Sequence, residues 1–430
     1  MAYGETYLGK GTPKLGFGMM RLPKLEDGSM DLAQIEQMVD RFLAAGFTYF
    51  DTAYVYDGGA SERVTGKALV ERYPRDSYTI ATKANAWLGS PTEEEVKQQF
   101  ETSRERLGVD YFDYYLLHAI QANNAKTYED FGLWDWARGL KEKGLVRNWG
   151  FSFHSSPEHL DRLLTQHPDV DFIQLQVNYA DWDQENVWSR RNVEVAEAHG
   201  VPYTVMEPVK GGTLAVPPRK VREIFDAASS QAGPDASYAS WAVRFAASQP
   251  GVITVLSGMS TLAQVEDNVS YMAPGTFAPL DEGELECVRA ARRALDESEQ
   301  IRCTACHYCC DGCPQGIPIP DFFSAMNYKL VFEDEASARS RYRSAADKAG
   351  VEAGDCIGCG QCEGACPQGL PIISYLQQVY EALKEAGPWA RRTARPRRRP
   401  RGRATRSGGA WRSSFSAPPA GGSTAPSRRR

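Results

Sequence analysis

The chain has 430 residues, 42% apolar and 24% charged, which is ordinary for a soluble protein and enough for two or three domains. Its net charge of −6 is uneven: residues 391–430 hold 13 Arg and no acidic residue, leaving 36 basic against 55 acidic residues elsewhere, a net −19. No run of eighteen apolar residues appears, the N-terminal MAYGETYLGKG lacks an apolar signal core, and the basic tail does not make the chain as a whole a nucleic-acid binder. A cytoplasmic protein with neither membrane nor nucleic acid as partner is expected.

From residue 14 to 258 short apolar runs alternate with amphipathic stretches. The runs KLGFGMM (14–20), FTYFDTA (47–53), YTIATK (78–83), FDYYLLH (112–118) and NWGFS (148–152) predict strands. FIQLQVNY (172–179), PYTVMEP (202–208) and VITVLSG (252–258) bring the number to eight. Between the first two, DLAQIEQMVDRFLAAG puts Ile35, Met38, Val39, Phe42 and Leu43 on one helical face, with Gly46 as a stop. Thr92 and Glu95 have the spacing of a capping box ahead of VKQQFETSRERLG.

Eight strand–helix units at intervals of roughly 30 residues fit a closed parallel (β/α)8 barrel of the α/β class. An open doubly wound sheet would want G-x-G-x-x-G after its first strand, and LGFGMMRLP does not supply it. The barrel is assigned to residues 1–278 and a charged linking helix, DEGELECVRAARRALDES, to 279–300. A small, helical, cysteine-rich domain follows over 301–388. The Arg-rich segment 389–430, with its Ser/Pro/Gly end, reads as disordered.

In such barrels chemistry gathers at the C-terminal ends of the strands. Here those ends carry Asp51 in FDTAYVY with Tyr56 five residues on, Lys83 in IATK, and His118 in YLLH. Their types suit one another. A phenol with a pKa of about 10 is a poor acid at neutral pH. A nearby ammonium favours its phenolate, and a carboxylate keeps that ammonium charged and in place. A histidine orients a carbonyl oxygen while Tyr56 protonates it.

FDTAYVY, IATK and YYLLH resemble the catalytic segments of the aldo/keto reductase family, and the likeness runs from about residue 5 to 275. The resemblance implies Asp51, Tyr56, Lys83 and His118 as a catalytic tetrad. It also implies reduction of a small aldehyde or ketone by NADPH or NADH lying across the barrel mouth. Ser152 in GFSFH and Gln176 in QLQVNY match positions that hold the nicotinamide carboxamide, although Phe153 replaces the asparagine common after that serine. Met206 in VMEPVKGG stands where an aromatic often stacks on the nicotinamide, and Lys210 and Gly212 match a pyrophosphate loop. GMSTLAQVEDN resembles the adenosine segment, which gives Ser260, Gln264 and Asn268. Gln264 replaces an arginine common in NADPH users, and a neutral amide cannot neutralise a 2′-phosphate, so both nucleotides stay open.

Nine of the ten cysteines lie between 303 and 366. CTACHYCCDGCP and CIGCGQCEGACP both read C-x2-C-x2-C-x3-C-P, a spacing for 4Fe–4S clusters. In two-cluster ferredoxins the fourth cysteine of each run serves the other cluster. Cys303, Cys306, Cys309 and Cys366 are therefore expected on one cluster, and Cys356, Cys359, Cys362 and Cys313 on the second. Zinc wants paired cysteines rather than a triplet with a trailing Cys-Pro. Cys310 is an extra thiol, and His307 decorates the loop. Together the halves resemble a bacterial branch of aldo/keto reductases with a C-terminal, ferredoxin-like 4Fe–4S domain. Two functions of different class follow. One is a carbonyl reductase whose clusters are structural or serve a redox partner protein. The other is an electron-transfer protein whose barrel binds nicotinamide as a docking or sensing module.

Overall fold

The computed structural model describes residues 8–384, apart from 90, 186, 234, 235, 298 and 333; the segment read as a basic tail lies outside the described residues. Eight strands form a closed parallel barrel in chain order: β1 Leu15–Gly18, β2 Tyr49–Asp51, β3 Thr79–Ala84, β4 Phe112–Ile120, β5 Val146–Phe153, β6 Phe172–Gln176, β7 Tyr203–Met206 and β8 Val252–Ser257. Each expected run overlaps one of them, and β3, β4 and β5 extend beyond theirs.

The alternation of a strand explains both the floor of the barrel and its chemistry. Side chains two residues apart share a face. Tyr49, Ala81, Tyr114, Leu116, Phe172, Ile253 and Leu256 form one buried cluster. Tyr49 and Tyr114 meet at 5.0 Å between ring centroids, and Tyr114 meets Phe172 at 4.9 Å. Two residues further along the same strands stand Asp51, Lys83, His118 and Gln174. The aromatic layer thus closes one end, and the polar layer lies towards the other.

A larger cluster fills the ring between strands and helices. The helix Leu32–Ala44 buries Ile35, Met38, Val39 and Phe42 there, and Phe42 stacks on Phe47 at 4.9 Å. The helix Glu93–Leu107 begins with the expected capping box: Thr92 N–H donates to Glu95 Oε2 at 2.7 Å, and Glu95 N–H donates to Thr92 Oγ1 at 3.3 Å. After the barrel, the helix Glu282–Asp296 is tied back by Glu284. That carboxylate accepts two bonds from Arg244, at 2.6 and 2.8 Å, with both side chains 1% exposed.

The C-terminal part is helical, with segments Tyr308–Asp311, Ile319–Phe332, Glu335–Ala349, Gln361–Ala365 and Ile372–Leu383. Its own core includes Ile317, Phe322, Phe323, Tyr342, Leu376 and Val379. Among the described residues no helix is long and apolar enough to cross a membrane.

Gly150 marks the tightest strand contact. It pairs with Phe172 across β5–β6, and a Cβ there would lie 2.1 Å from the Phe172 carbonyl oxygen. Gly150→Ala should therefore destabilise the fold by about 3 kcal/mol. Gly139, inside the helix Leu133–Glu142, has nothing near a Cβ. Gly139→Ala should stabilise by about 0.5–1 kcal/mol. Denaturant melts of the two variants check this opposite pair of signs.

Candidate active site

Asp51 ends β2 and Lys83 lies in β3, whose register pairs Asp51 with Ala81. That register carries Lys83 one step beyond the carboxylate, so its side chain reaches back to it. Lys83 Nζ donates to Asp51 Oδ1 at 2.5 Å and to the Thr52 carbonyl at 2.7 Å, and it lies 3.5 Å from the Tyr56 hydroxyl. Gln174 Nε2 donates to the other Asp51 oxygen at 3.3 Å. Tyr56 opens a short turn, Tyr56–Gly59, after β2. Its ring meets that of His118 edge-on at 5.7 Å.

His118 owes its direction to a break in β4. The β4–β5 register shifts between Leu117 and Ile120, and Ala119 takes a left-handed φ of 54°. Ala119 N–H then donates to Ser152 Oγ at 2.6 Å, and its carbonyl accepts from Asn124 Nδ2 at 2.9 Å. The Tyr128 hydroxyl bonds the His118 carbonyl. The four tetrad residues are brought together as the strand ends suggest.

Electrostatics differ from the expectation at Tyr56. The expected effect of the Lys83 cation was a lowered phenol pKa. Burial dominates instead and pushes Tyr56 well above its ordinary value, with Tyr308, Asp51 and Glu207 adding to the rise. Burial likewise raises Asp51 and lowers Lys83, and their mutual contact is what opposes both changes.

A groove of about 500 Å³ runs from Asp51 and Tyr56 along the ends of β7 and β8. Met206, Gly212, Ser260, Gln264 and Asn268 line it with Gly18, Arg21 and Ala263. Ser260 N–H donates to Gln264 Oε1 at 2.6 Å, and Asn268 Nδ2 donates to Ser257 Oγ at 2.6 Å. Three expected cofactor residues lie outside this lining. Ser152 Oγ accepts from Ala119. Gln176 exchanges amide bonds with Gln368 at 2.9 and 3.2 Å and donates to Asp181 at 2.9 Å. Lys210 departs furthest from the expectation of a phosphate contact: it is 3% exposed, and Nζ bonds Asp181 Oδ1 at 2.5 Å.

The KGG turn does serve a partner, but that partner is protein. A Cβ on Gly211 would lie 2.3 Å from the Thr304 carbonyl oxygen, so only glycine lets the first cysteine cassette approach. Arg21 reinforces the seat by donating to Thr304 O at 2.6 Å, Ala305 O at 3.2 Å and Glu207 Oε1 at 3.3 Å. Asn123 Nδ2 reaches the Gly364 carbonyl at 2.8 Å. Sequence reasoning missed Arg21, Glu207, Gln368, Trp87 and above all Tyr308, whose hydroxyl lies 3.2 Å from His118 Nε2. One signal was available: the cassettes differ at the same place, HY in the first against GQ in the second.

Within the C-terminal part a small cavity is lined by Cys303, Cys306, Cys309 and Cys366, together with apolar groups such as Phe323 and Ile319. These are three thiols of the first cassette and the last of the second, a donor set that fits an iron–sulfur cluster. Burial pushes Cys303 up to about 11 and Cys306 up to about 12, so holding them as thiolates is work for a bound metal. Among the described residues no three His, Cys, Asp or Glu side chains converge on a single-ion site. Near the second set, Cys356 lies beside Cys362, and Gly312 packs against Gln361.

Two histidines, His118 buried and His154 half-buried, give this region a pH signature. Burial holds His118 well below its ordinary value and pushes His154 down to about 4. In the unfolded chain both take up a proton near pH 6.5. Between there and about 4 the unfolded state binds more protons, so stability is full above this window and falls as pH drops through it. Thermal melts should show a lower Tm at about pH 5 than at about pH 7, and His154→Gln should flatten part of that slope. A higher Tm at the acid end would refute the assignment.

Comparison with known proteins agrees with this geometry. The aldo/keto reductase family model matches residues 14–292, and a 4Fe–4S dicluster domain model matches 302–371. An uncharacterised oxidoreductase of Bacillus subtilis, YqkF, is 26% identical over 287 residues, 60% of this chain and 89% of that protein. A probable aldo-keto reductase of Glycine max is 31% identical over 179 residues, spanning 40% of this chain and 49% of the relative. Two solved structures share the fold. An aldo-keto reductase of Bacillus halodurans has a TM-score of 0.51 at 23% identity, covering 66% of this chain and 95% of its own. One of Klebsiella pneumoniae, in complex with NADP and acetate, has 0.50 at 19% identity, covering 65% and 92%. The chain belongs to the aldo/keto reductase family, with a 4Fe–4S dicluster domain following its barrel.

Proposed function

We propose that this protein is a nicotinamide-dependent reductase of aldehydes or ketones, with Tyr56 as general acid, and that it carries two 4Fe–4S clusters. The observation that supports it most directly is the convergence of Lys83 and His118 on Tyr56 and Asp51, the two of the four that line the open groove. Met206, Gly212, Ser260, Gln264 and Asn268 would hold the dinucleotide along that groove, as befits a family in which solved relatives bind NADP or NADPH. When bound, the nicotinamide supplies hydride to the carbonyl carbon.

The chain's own residues manage the proton. Tyr56 gives its hydroxyl proton to the carbonyl oxygen as negative charge develops there. Lys83, 3.5 Å from that hydroxyl, stabilises the phenolate left behind. Asp51 and the Thr52 carbonyl fix the ammonium, so it need not reorganise. His118, kept neutral by burial, offers an N–H from Nε2 to the same oxygen and so orients it. Among the described residues its Nδ1 has no hydrogen-bond partner.

Tyr56→Phe should reduce kcat/KM by about 10²–10⁴-fold in an NADPH-oxidation assay, while the nucleotide affinity read by fluorescence stays unchanged. A loss of less than about threefold would remove Tyr56 from the acid role.

The crossed cluster set makes a separate prediction. Cys303→Ser and Cys366→Ser should damage the same cluster, whereas Cys356→Ser damages the other. Electron paramagnetic resonance of anaerobically purified, dithionite-reduced variants reads this directly. If Cys366→Ser gives the spectrum of Cys356→Ser, the ligation is uncrossed.

A further inference from the structure

The open groove stops at Tyr56. Neither His118 nor Trp87 lines it. On that far side the space is taken by Tyr308, carried over the barrel mouth by the first cassette. The Tyr308 hydroxyl lies 3.2 Å from His118 Nε2, and His118 in turn meets the Tyr56 ring edge-on at 5.7 Å. Its ring meets Trp87 edge-on at 5.1 Å and His118 edge-on at 6.2 Å. An oxygen that Tyr56 is to protonate and His118 is to orient must lie within about 2.6–3.2 Å of both. On the His118 side that place is already held by an oxygen of the chain, the Tyr308 hydroxyl.

The cassette is firmly seated around this phenol. Arg21 holds the carbonyls of Thr304 and Ala305, and Gly211 receives Thr304 at contact distance. Gln368, two residues beyond Cys366, is paired by its amide with Gln176 of β6. All these contacts involve main chain or other side chains. Turning the Tyr308 side chain alone would empty the space and leave them intact.

We propose that Tyr308 is an internal ligand of the carbonyl-oxygen position, and that the substrates of this site carry their carbonyl on a flat six-membered ring, as a cyclohexenone does. This rests on the reading of Tyr56 as the acid. In Tyr308 the oxygen is bonded directly to a planar ring whose contacts with Trp87 and His118 are already made. A ring ketone that takes its place reproduces oxygen and ring together. A straight-chain aldehyde supplies the oxygen and leaves the aromatic contacts unmade. The reaction is the two-electron one already described: hydride adds to the carbonyl carbon, the C=O π pair takes the Tyr56 proton, and solvent returns a proton to the phenolate.

The test uses p-cresol, which is the tyrosine side chain as a free molecule. It also uses the full chain purified anaerobically with its iron, in the presence of NADP. By calorimetry, p-cresol should bind Tyr308→Ala at least about tenfold more tightly than the wild type, because a cavity left by a flat ring accepts that ring. Tyr308→Leu, which keeps an apolar contact with Trp87, gives the same comparison if the alanine variant does not fold. Tyr308→Phe keeps the ring and should remain as closed to p-cresol as the wild type. Equal affinity in wild type and Tyr308→Ala overturns the internal-ligand assignment. On the wild type, kcat/KM for 2-cyclohexenone should exceed that for butanal by at least about tenfold, and a ratio of one or less overturns the ring preference. Calorimetry needs no turnover. If Tyr56→Phe stays active while p-cresol still separates the variants, the acid reading fails and the internal ligand stands.

Discussion

An ammonium with no exposed surface must have a carboxylate beside it, and for Lys83 that carboxylate is Asp51. Removing either would leave the other buried without its counter-charge, at about 3–5 kcal/mol. The contact is available because β2 and β3 run parallel in a register that sets one inward step of β3 just beyond the last residue of β2. Closure of the barrel fixes that register from both sides. The position of Tyr56 follows in turn, since the turn that carries it springs from the strand that Asp51 ends.

Upon this mouth the iron–sulfur domain is seated rather than tethered. Arg21, just after β1, and Gly211, in the loop after β7, meet one stretch of the first cassette, Thr304 and Ala305, and Glu207 joins the two by accepting from Arg21 and from Gly211 N–H. Ala305 and His307 hold left-handed φ values of 51° and 65°, which side chains other than glycine adopt at a cost of roughly 1–2 kcal/mol each. Such a loop keeps its shape when its neighbours determine it. The barrel determines it on one side and the cysteine cavity on the other, and Tyr308 emerges between them.

The strand ends were legible because alternation is short-range physics. An apolar run ending in Asp, Lys or His declares which way its last side chain points, and the eight runs close only one way. The meeting of Cys303, Cys306 and Cys309 with Cys366 around one cavity follows the expected grouping, since a triplet with a trailing Cys-Pro leaves few geometries. Tyr308 was not, because it and His118 are 190 residues apart and no local pattern links them. Lys210 misled because a flexible cation beside two glycines looks the same in sequence whether it faces phosphate or Asp181; the left-handed turn at φ 48° sets its course, and only the fold reveals it. At Tyr56 the charge argument identified the neighbour correctly but ranked the effects wrongly. A cation 3.5 Å away does less to this phenol than the loss of water around it.

Among the described residues, the aromatic floor formed by Tyr49, Tyr114 and Phe172 closes the barrel at the end away from Asp51 and Lys83. A nucleotide and a substrate bound as proposed would therefore share one doorway, and the iron–sulfur domain forms part of its frame. Under that proposal, whatever lay deeper would wait for whatever lay above it, and arrivals and departures would be queued by architecture.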